Sequence, residues 1–150
     1  MAFSISEALR SVTEPANKKG IEIRLNVPDD LVAYADKYMF ASTMRNLTSN
    51  ALKFTRSGGS ITIAATPDIN NYVEISIEDT GIGMNEDMVS NLFRLDTQTN
   101  REGTEGELSS GLGLIICKEF VEKQGGKLRV NSREGQGSVF YFTLPVTSSE

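Results

Sequence analysis

Two asparagines and a lysine are the first residues whose types and spacing suggest chemistry. Asn46, Asn50 and Lys53 recur at intervals of four and three, so on a helix they form one stripe on a single face. An amide oxygen is a suitable hard ligand for Mg²⁺, and a lysine ammonium is a point charge for phosphate. The stripe therefore suits a magnesium polyphosphate. For these three residues alone, a solvated surface stripe is the alternative explanation.

An aspartate followed by alternating glycines comes directly after a predicted strand. Glycines at alternate positions, here Gly81 and Gly83, let the backbone approach a ligand closely and adopt positive φ. The carboxylate of Asp79 at the strand end is placed to accept a hydrogen bond from an exocyclic amine, such as N6 of adenine. A simple Asx turn is the alternative for this segment alone.

A third candidate site begins at Gly111 and Gly113, which open a predicted helix. Backbone N–H groups at a helix N-terminus bind anions, whereas a tight turn is the alternative. The sequence lacks the Walker A pattern, and these glycines do not form the dinucleotide-binding motif that follows a first strand. It also lacks the H-R-D and D-F-G motifs of the protein kinases.

Hydrophobic periodicity predicts the helices that must position these residues. Helical spacing covers residues 5–13, with Ser6 as a candidate cap, and residues 36–55. Further helices are expected over 86–93, capped by Asn85, and from 111 to about 125. The face of the second helix expected to pack on a sheet carries Phe40, Met44, Leu47, Ala51 and Phe54.

Alternating apolar residues and turn signals predict the strands. They are expected over 21–27, around 61–63, over 73–77, and over 127–132 and 138–144. The resulting fold class is α+β, a two-layer α/β sandwich with one mixed, mostly antiparallel sheet and helices on one face. Residues 1–150 form one domain in this interpretation. The polar, glycine-containing segment 94–110 is expected to be a mobile loop.

Composition excludes several function classes. The chain has 150 residues, 39% of them hydrophobic, and a net charge of −5, which argues against a basic nucleic-acid-binding protein. No apolar run approaches the roughly 18 residues of a membrane span, so no direct membrane contact is expected. Histidine is absent and Cys117 is the single cysteine, which removes histidine-based catalytic triads and His-ligated zinc. We expect a cytoplasmic location for the domain.

In this order the motifs resemble the catalytic ATP-binding domain of bacterial sensor histidine kinases, within the Bergerat-fold (GHKL) ATPases. Residues 46–55 resemble the N box, residues 79–84 the G1 box, Leu92 and Phe93 the F box, and residues 111–114 the G2 box. Residues 137–145 are typical of the family's last strand. The resemblance covers about residues 5–145, and four boxes in the correct order are far more specific than any one of them.

The resemblance implies a role for each position. Asn50 would ligate Mg²⁺ between the phosphates of ATP with Asn46 assisting, and Lys53 would contact phosphate. Asp79 would accept from adenine N6, and residues 84–110 would form a lid over the nucleotide, with Phe93 anchoring its start. The implied ATP-binding positions are Asn46, Asn50, Lys53, Phe54, Asp79, Gly81, Ile82, Gly83, Phe93, Gly111, Leu112, Gly113 and Leu114.

Position 46 helps to choose among branches of the family. The ATP-hydrolysing branches and the anti-sigma serine kinases typically place a glutamate four residues before the metal-binding asparagine, as a general base. Here that residue is Asn46, whose amide cannot take a proton at neutral pH. This favours phosphorylation of histidine. An anti-sigma-type serine kinase and a degenerate module that binds nucleotide or protein are the alternatives.

The absence of histidine then predicts that the phosphoacceptor lies outside this sequence. The resemblance implies that it lies on a His-containing dimerisation domain of a parent sensor kinase, and that a response regulator receiver domain is reached through that parent. The sequence is interpreted as a fragment of such a kinase, which is either soluble or membrane-anchored. No nucleic acid is expected as a partner.

Overall fold

The computed structural model describes residues 2–13, 20–67, 70–93 and 112–146. The strands are β1 (Ala2–Ser4), β2 (Glu22–Asn26), β3 (Val32–Tyr34), β4 (Ser60–Pro67), β5 (Tyr72–Asp79), β6 (Leu128–Arg133) and β7 (Gly137–Pro145). The helices are α1 (Ile5–Thr13), α2 (Lys37–Lys53), α3 (Glu86–Asn91) and α4 (Leu112–Lys123).

One sheet of five strands, in the order β2-β4-β5-β7-β6, forms the main layer. Strands β2 and β4 are parallel, and the other three pairings are antiparallel. The predicted fold class, a mixed and mostly antiparallel sheet with helices, is therefore confirmed. A second small sheet, in which β1 and β3 pair antiparallel, was not predicted. Its strands have three residues each, too few to show a period of two.

Apolar rows across the strands explain why the helices cover only one face of the main sheet. Ile63 pairs with Ile77, which pairs with Phe140, which pairs with Val130. These side chains lie on the face against α2 and α4, where most of the row is fully buried. The intervening residues of each strand are more exposed and largely polar. Only the first face therefore has the apolar surface that a helical layer can bury.

Helix α2 begins and ends as its local sequence dictates. Asp36 caps it by accepting a hydrogen bond from Met39 N at 3.0 Å. Four of the five predicted sheet-facing residues are buried: Phe40, Met44, Leu47 and Ala51. The expectation was wrong for Phe54, which is half-buried because the helix ends at Lys53 and Phe54 is its C-terminal cap.

The caps of the two shorter helices differ in how well the sequence indicated them. Asn85 caps α3 as predicted, accepting from Met88 N at 2.9 Å. For α1 the predicted cap, Ser6, was wrong, because the helix begins at Ile5 and Ser4 accepts from Glu7 N at 3.4 Å. Because Ser4 and Ser6 are both serines, the sequence does not show which of them caps the helix.

Three aromatic rings join the small sheet, the helical layer and the main sheet. The rings of Phe3 and Phe40 have centroids 5.0 Å apart, and those of Phe40 and Phe142 are 6.2 Å apart. Both pairs are tilted, an arrangement favoured by the ring quadrupoles. Phe40 therefore connects the N-terminal strand to the core that carries the candidate site.

The predicted lid is described only in its first part. The lid predicted at about 84–110 lies outside the described residues from position 94 onward, and only its first part, with α3, is described. Among the helices described, none combines the length and the apolar character needed to cross a lipid bilayer.

We predict that Thr48→Val stabilises the protein. The Thr48 hydroxyl is 2% exposed and makes no hydrogen bond with any described residue, so the folded state carries an unpaired polar group. Replacing it with an apolar group of the same shape should raise the free energy of unfolding by about 1 kcal/mol, as measured in urea.

The matched control is Thr55→Val on the chain just after the same helix. Thr55 is also buried, but its hydroxyl donates to Ala51 O at 2.7 Å, so this change should lower the free energy of unfolding by about 1 kcal/mol. Equal losses for both variants would show that the Thr48 hydroxyl has a partner, such as a buried water, and would contradict the prediction.

Candidate functional site

The polar stripe of α2, defined as Asn46, Asn50 and Lys53, lies half-buried along one side of the helix. The Asn46 side chain is fixed, because its Nδ2 donates to Ser42 O at 2.9 Å. Its Oδ1 therefore points away from its own helix and toward α4. A Cβ added to Gly113 would lie 2.8 Å from this oxygen, so the stripe meets the first turn of α4 at a glycine.

Asp79 provides the acidic group of the site, at the end of β5. Its side chain lies on the helix-covered face and the residue is only 5% exposed. Oδ1 accepts hydrogen bonds from the backbone N–H of Gly81, at 2.9 Å, and of Ser138, at 3.2 Å. A buried carboxylate needs such donors to offset the loss of water. These bonds hold the carboxylate in one orientation.

The acidic loop, residues 79–84, is pressed against the C-terminal end of α2. Ile82 N donates to the carbonyl oxygen of Phe54 at 3.0 Å, which satisfies an acceptor in the last turn of the helix. A Cβ on Gly81 would overlap that same carbonyl group. Because Phe54 directly follows Lys53, this contact brings the lysine end of the polar stripe beside the acidic loop.

The other side of the acidic loop contacts the β6–β7 hairpin. Gly83 has a φ of +66°, and a Cβ on it would overlap the carbonyl oxygen of Arg133. Gly135 N donates to Ile82 O at 2.7 Å, and Met84 N donates to the Ser132 hydroxyl at 2.9 Å. Glycine is thus required at both alternate positions for close backbone approach.

The remaining residues that sequence reasoning assigned to the site fall into three groups. Phe93 is half-buried, and Lys118 Nζ of α4 lies 5.5 Å from the centre of its ring. The Leu114 side chain is buried in the core, so only the backbone of this residue is available to the site. Gly111 lies outside the described residues, and Leu112 begins α4 with a side chain that is also outside them.

Two serines of the site were missed as functional candidates. Ser138 contacts Asp79, 59 positions earlier in the sequence, and Ser132 contacts Met84, 48 positions earlier. The signal available in the sequence was a glycine-flanked turn followed by a serine at 137–138. The pairing of three strands decides where these serines lie, so no local pattern indicates their contact with Asp79.

The single cysteine is a structural residue. Cys117 lies fully buried on α4, and its thiol donates to Thr43 O of α2 at 3.7 Å. Burial raises the pKa of the Cys117 thiol to about 12. Since the thiolate is the reactive form, Cys117 is unsuited to act as a nucleophile.

The donors of the polar stripe fit one particular kind of metal site. Among the described residues, no three His, Cys, Asp or Glu side chains come together as a self-sufficient metal site. The stripe instead offers amide oxygens from Asn46 and Asn50. Mg²⁺ accepts a small number of protein oxygen ligands when phosphate oxygens and water complete its shell. The donors therefore fit an ion that arrives with a polyphosphate.

A family model described as histidine kinase-, DNA gyrase B-, and HSP90-like ATPase matches residues 35–148. The fold and the glycine-lined acidic loop agree with this match, and the chain belongs to this ATPase family. The resemblance found in the sequence is thereby confirmed.

The relatives are sensory kinases. The chain is 38% identical over 147 residues to the adaptive-response sensory kinase SasA of Synechococcus elongatus, covering 95% of this chain and 36% of the relative. It is 39% identical over 130 residues to SasA of Prochlorococcus marinus, covering 85% and 34%. The chain thus spans about a third of the length of these curated relatives.

Solved structures of the same class superpose closely. The nucleotide-free catalytic domain of histidine kinase ThkA matches with a TM-score of 0.82 and 30% identity, covering 98% of this chain and 95% of that one. Full-length ShkA in complex with AMPPNP matches with a TM-score of 0.79 and 30% identity, covering 99% and 31%. Together with the family match, these structures identify the chain as an ATPase domain of the histidine kinase type.

We predict that Gly81→Ala displaces the acidic loop from α2. The added methyl group would collide with the Phe54 carbonyl, which is backbone and cannot move aside as a flexible side chain does. The free energy of unfolding should fall by about 2 kcal/mol, and the Ile82 amide should exchange its hydrogen faster.

Gly58→Ala is the matched control. Gly58 has a φ of +90° but open space around it, so this variant carries backbone strain of about 1 kcal/mol without a collision. Its Ile82 amide should exchange as in the unaltered protein. Equal protection of Ile82 in both variants would show that the loop does not depend on this contact.

Proposed function

We propose that the domain binds Mg-ATP and donates its γ-phosphoryl group to a histidine carried outside this sequence. The observation that carries the proposal is the buried Asp79 carboxylate, held at the end of β5 beside a glycine loop and close to the polar stripe of α2. This arrangement supports the proposal that Asp79 accepts from a purine amine at one end of the site while the polar stripe holds the phosphates at the other.

Asp79 is proposed to select adenine. Two backbone N–H groups hold Oδ1, and the carboxylate presents acceptors without any donor of its own. The exocyclic amine of adenine donates a hydrogen bond to such a group. Guanine carries a carbonyl oxygen at the corresponding position, which would face the carboxylate as a second acceptor. Gly81 and Gly83 let the loop pack against the Phe54 and Arg133 carbonyl groups, and this packing is proposed to hold the loop, with Ile82 and Phe54, beside the base.

The polyphosphate is proposed to lie along the polar stripe, toward the first turn of α4. Lys53 supplies a positive charge, and the first residues of α4, from Leu112, supply backbone N–H groups at the helix N-terminus. Asn50 would hold Mg²⁺, with Asn46 assisting from the side that faces Gly113. When bound, the ion would offset negative charge on the phosphates. Residues 84–110 are proposed to cover the nucleotide as a lid, and Phe93 is proposed to anchor the first part of that lid.

Histidine is the proposed acceptor for two reasons. The residue four positions before Asn50 is Asn46, and its amide cannot serve as a general base for a hydroxyl group or water. A neutral imidazole needs no such base to act as a nucleophile. Attack in line with the leaving oxygen, with positioning and charge stabilisation by the site, would then transfer the phosphoryl group.

The partners follow from the composition and from the relatives. The sequence contains no histidine, so the acceptor belongs to another domain, for which a His-containing dimerisation domain is proposed. ThkA has been solved in complex with the response regulator protein TrrA, and matches this chain with a TM-score of 0.77 and 27% identity over 98% of this chain and 42% of that one. A receiver domain of a response regulator is therefore the proposed final partner, and the cytoplasm, where ATP is abundant, the proposed location.

We predict that Asp79→Asn abolishes adenine-selective binding while leaving the fold intact. The asparagine Oδ1 can still accept from Gly81 and Ser138, but its other polar atom becomes an NH₂ donor that would face the adenine amine. Calorimetric titration with ATP, ADP and GTP in Mg²⁺ should show adenine nucleotides bound at least tenfold more tightly than GTP, and this preference lost in the variant.

The control for that titration is Glu78→Gln, which also neutralises one carboxylate. Glu78 is exposed on the opposite face of the same strand, so adenine binding should be unchanged. No binding of any nucleotide at millimolar concentration would overturn the proposed function and favour a degenerate interaction module.

The transfer step is tested with radiolabelled ATP and a separately produced His-bearing helical domain from a sensory kinase of the SasA type. We expect acid-labile label on that domain only when this chain and Mg²⁺ are both present, and none when the acceptor histidine is replaced by glutamine. Label on serine, or release of phosphate without any labelled acceptor, would contradict the histidine kinase proposal.

A further inference from the structure

A polar row crosses the main sheet at the end that carries the acidic loop. Ile61 of β4 pairs with Asp79 of β5, Asp79 pairs with Ser138 of β7, and Ser138 pairs with Ser132 of β6. All four side chains are on the helix-covered face, since residues directly opposite one another share a face. The next two rows on this face are apolar across the same strands. The outermost member, Ser132, lies two strands away from Asp79.

The Ser132 hydroxyl contacts the last residue of the acidic loop and also the strand that packs against the first residue of the loop. It accepts a hydrogen bond from Met84 N, the last residue of the loop, at 2.9 Å. It donates to Gly137 O at 3.1 Å, and a Cβ on Gly137 would overlap the carbonyl of Asp79, the first residue of the loop. One hydroxyl group thus connects the end of the loop to the strand that holds its beginning.

The same hydroxyl also determines the orientation of Ser138. The two hydroxyl oxygens are 2.6 Å apart, so one donates to the other. A serine hydroxyl has one proton and two acceptor sites. With its proton on Gly137 O and one acceptor site taken by Met84 N–H, Ser132 has one acceptor site left, and the Ser138 proton fills it. Ser138, whose N–H donates to Asp79, is thereby fixed.

We propose that Ser132 is a positioning residue for nucleotide binding: its hydroxyl fixes the Met84 end of the acidic loop and the Ser138 side chain beside Asp79. The proposal rests on the function proposed above for the Asp79 site. Ser132 is half-buried at a sheet edge and contributes no apolar surface to the core, so its contacts serve the loop more than global stability.

Removal of the hydroxyl leaves Met84 N–H and Gly137 O without this partner, and the Ser138 proton without its acceptor. The loop then spends less time in the conformation that presents Asp79 to a base. The apparent dissociation constant rises in inverse proportion to the fraction of molecules that remain in that conformation. A tenfold loss of the competent conformation therefore weakens binding about tenfold.

The experiment compares Ser132→Ala and Ser132→Thr by calorimetric titration with Mg-ADP, at a temperature where far-UV circular dichroism shows each protein fully folded. Ser132→Ala should bind ADP about tenfold more weakly than the unaltered chain, and the Met84 amide should exchange its hydrogen faster. Ser132→Thr keeps the hydroxyl on a strand position that tolerates β-branching, so its affinity should return to within about twofold. Rescue by threonine is a result that a merely structural role of the side chain would not produce.

Asn131→Ala is the matched control, because Asn131 is adjacent on β6 but exposed on the opposite face. Its affinity for ADP should be unchanged. The proposal is overturned if Ser132→Ala binds ADP as tightly as the unaltered chain, or if Ser132→Thr binds as weakly as Ser132→Ala. If the unaltered chain itself fails to bind ADP, the proposed function fails as well, a result distinct from loss in the variants alone.

Discussion

The site depends on holding one carboxyl group in a fixed orientation at a nearly water-free position. Asp79 is the last inward-facing residue of β5, after the apolar Val73, Ile75 and Ile77, and it is buried against the helical layer. Two backbone N–H groups compensate for the lost water, one from the loop that follows and one from the neighbouring strand β7. The position of the acidic loop and the pairing of β5 with β7 are therefore coupled through this one side chain.

Glycine determines how closely the loop can approach its neighbours. The loop backbone lies between the last carbonyl groups of α2 on one side and the carbonyl of Arg133 on the other, and both contacts exclude a Cβ. The backbone of Ile82 makes one hydrogen bond on each side: its N–H donates to Phe54 O, and its carbonyl oxygen accepts from Gly135 N. A loop held from two sides can present a buried group accurately, because little conformational freedom remains to be lost on binding.

The sequence allowed prediction of the features that are local, and failed for those that depend on strand register. The polar stripe, the cap at Asn85 and the glycine loop all arise within a few residues, where side-chain type and spacing decide the conformation. The role of Ser132 arises from three strands aligned in register, and Ser132 lies 48 positions after Met84 in the sequence. Neighbouring serines at other positions look the same in the sequence, so only the pairing shows which one reaches the loop.

The same distinction explains the errors in the helices and small strands. Phe54 fits the apolar periodicity of α2, yet the helix stops one residue earlier, and Phe54 becomes the cap whose carbonyl oxygen accepts from Ile82 of the acidic loop. The short strands β1 and β3 form because Phe3 packs on Phe40, a contact between distant segments that three-residue strands cannot signal. In both cases tertiary packing, rather than local propensity, decides the outcome.

The chemistry of position 46 is consistent with a site that positions reactants and leaves proton transfer to its partner. Asn46 is fixed through its NH₂ group to Ser42, which orients its oxygen toward the glycine at the start of α4. A carboxylate at this position could draw a proton from water, whereas an amide can only orient and coordinate. The proposed acceptor, an imidazole, brings its own nucleophilic nitrogen, so the domain needs a rigid base pocket and charge for the phosphates but no general base. A site in which the Asn46 and Asp79 side chains are held by backbone groups meets that requirement.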